Sequence, residues 1–356
     1  MQIPPVMAKW IFEEPGNPEF QLSHAIEPLW EQFQPIELRH NHRQGNDCIY
    51  GDMLNRIRRG KHTAEDIEQL QAKVTDQLPE GALHLYGLNE LVDKHNKEEL
   101  SKLGGGTEVL KAIHTCPGFR GWTPPIDDQG MVATTPFKDE LCLKIKSRVM
   151  VTYNAFDIDG LVNGAMGTVV GFWRKQGKVV LVLVELDISK DGARTRRKYA
   201  DVLELAGLPN ATPIGRECLE YNLGKKARQH GGSASEASAK CIQFPLVLGW
   251  AISIHKSQGA NIKSPTPLVA DIASVHKRGH GMAYVALGRI QNMDQLYLKS
   301  FEPKKIMVSK EAEREAQRIE RDAINNKDNM DQWSKDWKMR NCYLLKIVSL
   351  NIRYVF

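Results

Sequence analysis

Between residues 141 and 185 the chain carries four short, apolar, β-branched runs: 141–145, 148–152, 166–172 and 178–185. Asp159-Gly160, Asn163-Gly164 and Gln176-Gly177 break them up. Runs of this length closed by such turns read as antiparallel hairpins. Confined to so short a stretch, they suggest a small antiparallel barrel rather than a large sandwich. From 241 the pattern changes. Residues 242–248, 267–271 and 295–298 read as strands, and 249–258 and 282–290 as helices. That alternation implies a parallel sheet covered by helices. The expected fold class is α/β: a parallel-sheet domain with helices, interrupted by a small antiparallel β-barrel insert.

Upstream, Pro4, Pro5, Pro15, Pro18, Pro28 and Pro35 mark a loop-rich entry with one short helix at 22–33. Residues 48–59 read as a helix, with Ile49, Met53, Leu54 and Ile57 at helical spacing and Gly60 at its stop. Thr63 is a candidate N-cap, with Glu65 and Asp66 in the first turn. The helix it opens would carry Ile67, Leu70 and Val74 on one face. A short strand is expected at 83–85 and a helix at 89–103, ended by Gly104-Gly105-Gly106. Residues 104–136, rich in Gly, Pro and Thr, read as mostly loop. Residues 209–240 are polar and low in complexity and read as a flexible loop. The charged helix at 311–324 reads as a solvated appendage, and 341–356 shows no pattern that assigns it.

The net charge of +5 permits nucleic-acid binding without demanding it. Basic runs at 56–61, 194–198 and 225–228 could meet phosphates, although each alone is more often a solvated face. Cys48, Cys116, Cys142, Cys218, Cys241 and Cys342 form no C-x-x-C pair. This argues against a structural zinc site and a disulfide framework, and no metal site is expected. No run approaches the ~18 apolar residues of a membrane span, and the N-terminus lacks a secretory start. His40-Asn41-His42 spells the letters of a nuclease motif. That motif needs its residues far apart around a metal, so the contiguous run carries no such meaning.

Three segments stand out together. The first is Gln2-Ile-Pro-Pro-Val6. The second runs from Glu37-Leu38-Arg39 through Arg43-Gln44 into Leu54-Asn55-Arg56-Ile57-Arg58-Arg59-Gly60. The third is Ala251-Ile-Ser-Ile-His255-Lys256-Ser257-Gln258-Gly259, followed by Tyr284-Val-Ala-Leu-Gly288-Arg289. In this order they resemble motifs of the PIF-type helicases, in the RecD/PIF branch of superfamily one: Q-L-P-P-V, R-Q leading into L-N-x-I-R-x-G, A-x-T-x-H-K-S-Q-G, and Y-V-A-L-S-R. Residues 159–170 resemble the family's barrel insert. Leu88-Asn89 through Val92, Asp93 and Asn96 resemble a further stretch of its second RecA-like domain. The likeness runs from Gln2 to about Phe301.

The resemblance implies an ATP-dependent 5′-to-3′ DNA helicase, active in repair, recombination and telomere or transposon biology and placed in the nucleus. Phosphoryl transfer needs positive charge where it develops on the γ-phosphate, and a guanidinium stays charged and planar. The resemblance gives that role to Arg43 and Arg289, and gives Gln2 a contact to the γ-phosphate or its attacking water. It sets His255, Lys256, Ser257, Gln258 and Gly259 beside a single-stranded DNA channel, with Gly259 also toward nucleotide.

This chain departs from the family at three places. Gly288 stands where the family has Ser or Thr, Tyr86-Gly87-Leu88 replaces Pro-Thr, and no G-x-x-x-x-G-K-[ST] occurs in the 356 residues. No apolar strand ends in an Asp-Glu pair. The expectation is therefore a C-terminal half. Residues 1–140 would end the first RecA-like domain and begin the second, 141–208 would be the insert, and 209–240 a loop. Residues 241–308 would complete the second domain, and 309–356 would be a charged tail and an unassigned end. ATP and Mg²⁺ serve the full-length family; this chain alone is expected to bind neither and to be inactive without the missing first domain. Expected partners are single-stranded or forked DNA and that domain, with the chain a monomer and no membrane contact. The alternative is a non-catalytic nucleic-acid-binding remnant of transposon origin. A third reading, a fragment lending its arginines in trans to another chain, ranks below both.

Overall fold

The computed structural model describes residues 10, 12, 30, 42–45, 47–116, 123–132, 135–154, 159–222, 238–260, 262 and 264–325. The motif at 2–6, the helix expected at 22–33 apart from Trp30, and the stretch 341–356 lie outside these. In chain order the elements begin α1 (Cys48–Arg58), α2 (Ala64–Gln71), β1 (Leu83–Tyr86), α3 (Asn89–Lys102), β2 (Glu108–Lys111), β3 (Ile113–Thr115) and β4 (Glu140–Leu143). They continue with β5 (Arg148–Val151), β6 (Met166–Lys175), β7 (Lys178–Leu186), α4 (Ala193–Lys198), α5 (Ala200–Ala206), β8 (Thr212–Ile214) and β9 (Glu217–Asn222). Then come β10 (Ser238–Gln243), β11 (Leu246–Leu248), β12 (Ala251–Ser253), β13 (Leu268–Asp271), α6 (Met282–Leu287), β14 (Leu296–Ser300) and α7 (Lys310–Asn325). The chain divides into two compact units. The first comprises 1–79 and 257–356, the second 80–256.

In the first unit, Asp47 caps α1 by accepting from the Tyr50 N–H. The helix buries Tyr50, Met53, Leu54 and Ile57, while Ile49, expected on the same face, is 74% exposed. Helix α1 packs against α6, which is apolar all round and buries Met282, Ala283, Val285, Ala286 and Leu287. Gly60 stops the first helix at φ +66°, a conformation that favours glycine. Thr63 and Asp66 form a full capping box on α2. That helix ends at Gln71, so Val74 is not on its face; Val74 bridges Leu298 in parallel instead, and the Thr75 N–H donates to the Leu298 carbonyl. Strands β13 and β14 pair in parallel, Leu268 opposite Leu296. Helix α7 corrects the expected free appendage. Ser309 and Ala312 are buried at its start, the Trp30 indole donates to Glu315 at 2.6 Å, and Arg59 pairs with Glu320.

In the second unit, β1 and β12 pair in parallel, His84 opposite Ala251, and α3 packs against both. Strand β12 replaces the helix expected at 249–258. The Gly249 N–H is tied to the Arg148 carbonyl. A Cβ at Gly249 would lie 2.9 Å from the Val149 carbonyl carbon, so the chain passes too close to β5 to coil there. The strand expected at 242–248 is split into β10 and β11 around Phe244-Pro245. The loop expected at 104–136 contains β2 and β3, and that at 209–240 contains β8, β9 and the start of β10.

Of the four runs expected between 141 and 185, the one at 141–145 gives β4, which pairs with β2 in a separate two-stranded sheet, whereas the other three form β5, β6 and β7 in the middle of an antiparallel sheet ordered β11-β5-β6-β7-β8. Its end strands come from 212–214 and 246–248, outside the span read as the insert. At the β6–β7 turn Gln176 and Gly177 both take positive φ, 49° and 76°, and join Lys175 to its partner Lys178. Two positive values in a two-residue loop match the right-handed twist of the flanking strands. The unbroken apolar run of β7 has a simple cause: both its faces are covered. Val182, Val184 and Leu186 join one core with Val149, Val169 and Phe244. Leu181 and Leu183 join another with Leu203 of α5 and Ala211. Each such side chain, fully buried, contributes about 1.5–3 kcal/mol.

Candidate functional site

The first unit carries the arginines. Arg289 follows the C-terminus of α6 and is only 4% exposed. Its Nε donates to the Val285 carbonyl at 2.7 Å, and its Nη1 to the carbonyls of Ser257 and Ala260, each at 3.3 Å. Its Nη2 has no hydrogen-bond partner among the described residues. Arg43 Nη1 donates to the Gly288 carbonyl at 2.7 Å. Burial first, and then the neighbouring Arg43 charge, push the Arg289 pKa down to about 10, with Tyr284 opposing. Burial likewise lowers Arg43. Two guanidinium groups thus share a poorly solvated corner, where an anion would relieve both desolvation and mutual repulsion.

The segment that delivers Arg43 is stitched to α6 and its exit. The Gln44 side-chain amide donates to the Ile290 carbonyl at 2.6 Å, the Tyr50 hydroxyl donates to the Leu287 carbonyl at 2.8 Å, and Asp47 accepts from the Met293 N–H at 3.1 Å. The R-Q and Y-V-A-L-G-R motifs, some 240 residues apart in sequence, are therefore one physical unit. Ser257 is fully buried and takes part through its carbonyl on Arg289. Gly259 takes φ +86° with nothing near the place of a Cβ, so the turn requires glycine for its backbone and not for space.

The second unit carries an open groove of about 660 Å³ beside α3, and its lining includes Asp93, Asn96, Lys138 and Lys256. His255 and Lys256 lie just past the C-terminal end of β12, at the end of a parallel strand where α/β sheets present ligand-binding residues. Both are exposed. The protein around Lys256 still desolvates its ammonium enough to lower its pKa; Lys138 lowers it further, while Asp93 and Asp127 oppose. Burial lowers His255 as well. Strand β12 is held by the Asn96 amide, whose Nδ2 donates to the Ala251 carbonyl and whose Oδ1 accepts from the Ala251 N–H, both at 2.9 Å.

The sequence picked out Arg43, Arg289, His255 and Lys256, and the structure sets the two arginines side by side. Gln2 lies outside the described residues. Sequence reasoning missed Tyr50, Gln44 and Asp47 as stitches, and Lys138 as a neighbour of Lys256. Asn96 was quoted only within a motif; a buried amide, 5% exposed on an otherwise polar helix, was its signal. The corner suits a phosphate. Among the described residues no group of His, Cys, Asp and Glu could hold a metal ion, and no helix is long and apolar enough to cross a membrane.

No protein-family model matches the chain. Among curated proteins, it is 28% identical over 342 residues to the ATP-dependent DNA helicase PIF1 of Emericella nidulans, covering 86% of this chain and 42% of that protein. It is also 28% identical over 283 residues to the ATP-dependent DNA helicase Pif1 of Bdellovibrio bacteriovorus, covering 79% and 54%. The chain thus spans about half the length of these relatives. A crystal structure of Bacteroides Pif1 bound to ssDNA superposes with a TM-score of 0.59 at 19% identity, over 89% of this chain and 64% of that one. At that identity the likeness is one of fold.

Proposed function

From a chain related over most of its length to the PIF-type ATP-dependent DNA helicases, we propose that it forms the arginine-bearing, DNA-contacting half of a 5′-to-3′ helicase motor. The observation that carries this is the pairing of Arg43 and Arg289 on the exit of α6, with the Arg289 Nη2 uncommitted among the described residues. In this reading both guanidiniums face the γ-phosphate of ATP held by a Walker A-bearing domain, where they offset charge that develops during phosphoryl transfer. Mg²⁺ would be held by the Walker A-bearing domain and not by these arginines, and would supply further positive charge to the phosphates.

His255 and Lys256 contact a DNA strand from the second unit. Ser257 to Gly259 continue the same peptide into the carbonyl cage of Arg289. The antiparallel sheet is read as the family's barrel insert, the chain as a monomer on single-stranded or forked DNA, and its location as the nucleus.

A salt series with a fluorescent single-stranded oligonucleotide, with and without ATP and Mg²⁺, tests this. The expected result is salt-sensitive binding that ATP leaves unchanged, and no DNA-stimulated ATPase from the 356 residues alone. Absence of binding at low salt would sink the DNA-contact reading, and ATPase by the chain alone would sink the division of labour.

A further inference from the structure

The groove of the second unit is not a basic trough. Its lining includes four lysines, Lys97, Lys138, Lys144 and Lys256, and four carboxylates, Asp93, Asp128, Asp139 and Glu140. Any pull on a phosphate is therefore local. Two of the lysines are engaged in different ways. Lys144 donates to the Leu103 carbonyl at 2.6 Å. Lys138 donates to the Gln129 carbonyl and stands 3.4 Å from an Asp93 carboxylate oxygen, with the lysine side chain 21% exposed and the aspartate 32%. Lys256 feels the charges of both Lys138 and Asp93, and its ammonium has no hydrogen-bond or ion-pair partner among the described residues.

This is an arrangement of two neighbouring ammonium groups in which Asp93 pairs with Lys138, while the charges of Asp93 and Asp127 both act on Lys256. Asp93 does for Lys138 what a phosphodiester oxygen would do: it accepts charge-assisted hydrogen bonds and offsets the repulsion from Lys256. Asp93 is committed to Lys138 and neither it nor Asp127 makes an ion pair with Lys256, so a phosphate with two free oxygens could engage both lysines where these carboxylates do not.

We propose that Lys138 is a second strand-contacting residue beside Lys256, and that Asp93 is a built-in competitor that holds Lys138 while no strand is bound. The proposal rests on the reading of the groove as a DNA contact and adds to it a residue and a gate. A strand entering the groove takes Lys138 from Asp93, so part of the phosphate attraction is cancelled by the pair that must break. The competitor sets affinity low enough for a motor domain to release and re-grip its track.

The test is equilibrium binding of a single-stranded oligonucleotide over a salt series, using the whole chain and the variants Asp93→Asn, Lys138→Gln and the double substitution. Asp93→Asn should bind about fivefold tighter at low salt, the scale of one partly exposed ion pair removed from the unbound state. Its dependence on salt should steepen toward that of one more phosphate contact. Lys138→Gln should weaken binding and flatten the salt dependence. In the double variant the gain from Asp93→Asn should vanish.

An Asp93→Asn chain with unchanged affinity and slope, beside a wild type that binds, overturns the gate alone. A gain that survives in the double variant overturns the assignment to Lys138, because it would report only the added net charge. Failure of every form to bind at low salt overturns the DNA-contact reading together with the gate.

Discussion

Arg56 belongs to a basic run that could have met phosphate, yet the structure engages it internally, and this predicts a specific dependence of stability on pH. The Arg56 Nε donates to one Asp66 oxygen at 2.8 Å and its Nη2 to the other at 2.6 Å, while the Thr63 N–H donates to Asp66 at 2.9 Å. The Asp66 side chain is 1% exposed and the Arg56 side chain 39%. The Arg56 hydrogen bond dominates; burial opposes it, and the Thr63 N–H adds to it. Together they hold the Asp66 carboxyl at about 2 instead of its ordinary 3.8.

By linkage that depression is worth about 2.5 kcal/mol, and solvent screening at the exposed Arg56 reduces it to about 1–2 kcal/mol. Because the folded pKa is the lower one, the contribution is complete above about pH 5 and is lost as pH falls through 3.8 toward 2. Asp66→Asn should therefore destabilise the joint between α1 and α2 by about 1–2 kcal/mol at pH 7, and by about half as much at pH 3. Hydrogen exchange on peptides covering residues 48–71 reads this locally, which suits a chain of two units. A loss of protection equal at pH 7 and pH 3 would refute the reasoning, since it would mean that the carboxylate charge is not what Arg56 and Thr63 hold.

Four further outcomes are expected. Arg289→Lys, in a polypeptide joining this chain to a Walker A-bearing first domain, should cut DNA-stimulated ATPase by about 10³-fold while leaving oligonucleotide affinity unchanged; an unaffected rate would remove Arg289 from the ATP site. Asn96→Leu deletes both hydrogen bonds to Ala251 and should cost about 2–3 kcal/mol in urea denaturation, with exchange protection lost at Ala251; retained protection there would show that the strand needs no clamp. Gly288→Ser adds a Cβ 3.0 Å from the Tyr284 carbonyl at φ −73° and ψ 8°, a negative-φ conformation that any L residue can adopt, so stability should change by less than about 1 kcal/mol in thermal melts; a loss above about 2 kcal/mol would mean that this turn requires glycine. Lys256→Gln should lower the slope of log affinity against log salt by about 0.7 for a single strand, and an unchanged slope would place the phosphate contact elsewhere.

What was legible in the sequence follows from where the determinants lie. Capping at Thr63, the stop at Gly60 and the hairpin at Gln176-Gly177 are local, so residues next to one another announce them. Strand β12 is not local. Ala251 to Ser253 carry little that separates strand from helix, and the outcome is decided by Gly249 against β5 and by the Asn96 amide, contributed from residues about 100 and 150 positions away. Strands β2, β3 and β8 were hidden for the same reason, since their partners β4, β10 and β7 are not their neighbours across a tight turn. The site divides along the same line. Arg43 and Arg289 were visible as motif letters, but their juxtaposition depends on Gln44, Tyr50 and Asp47 meeting the exit of α6.

The order of the motifs in the chain is thus less informative than what holds them. In the first unit, carbonyls of Ser257, Ala260 and Val285 orient a nearly buried guanidinium. In the second, one amide fixes the strand whose end presents Lys256. A single five-residue peptide, 255–259, begins at the second arrangement and ends in the first.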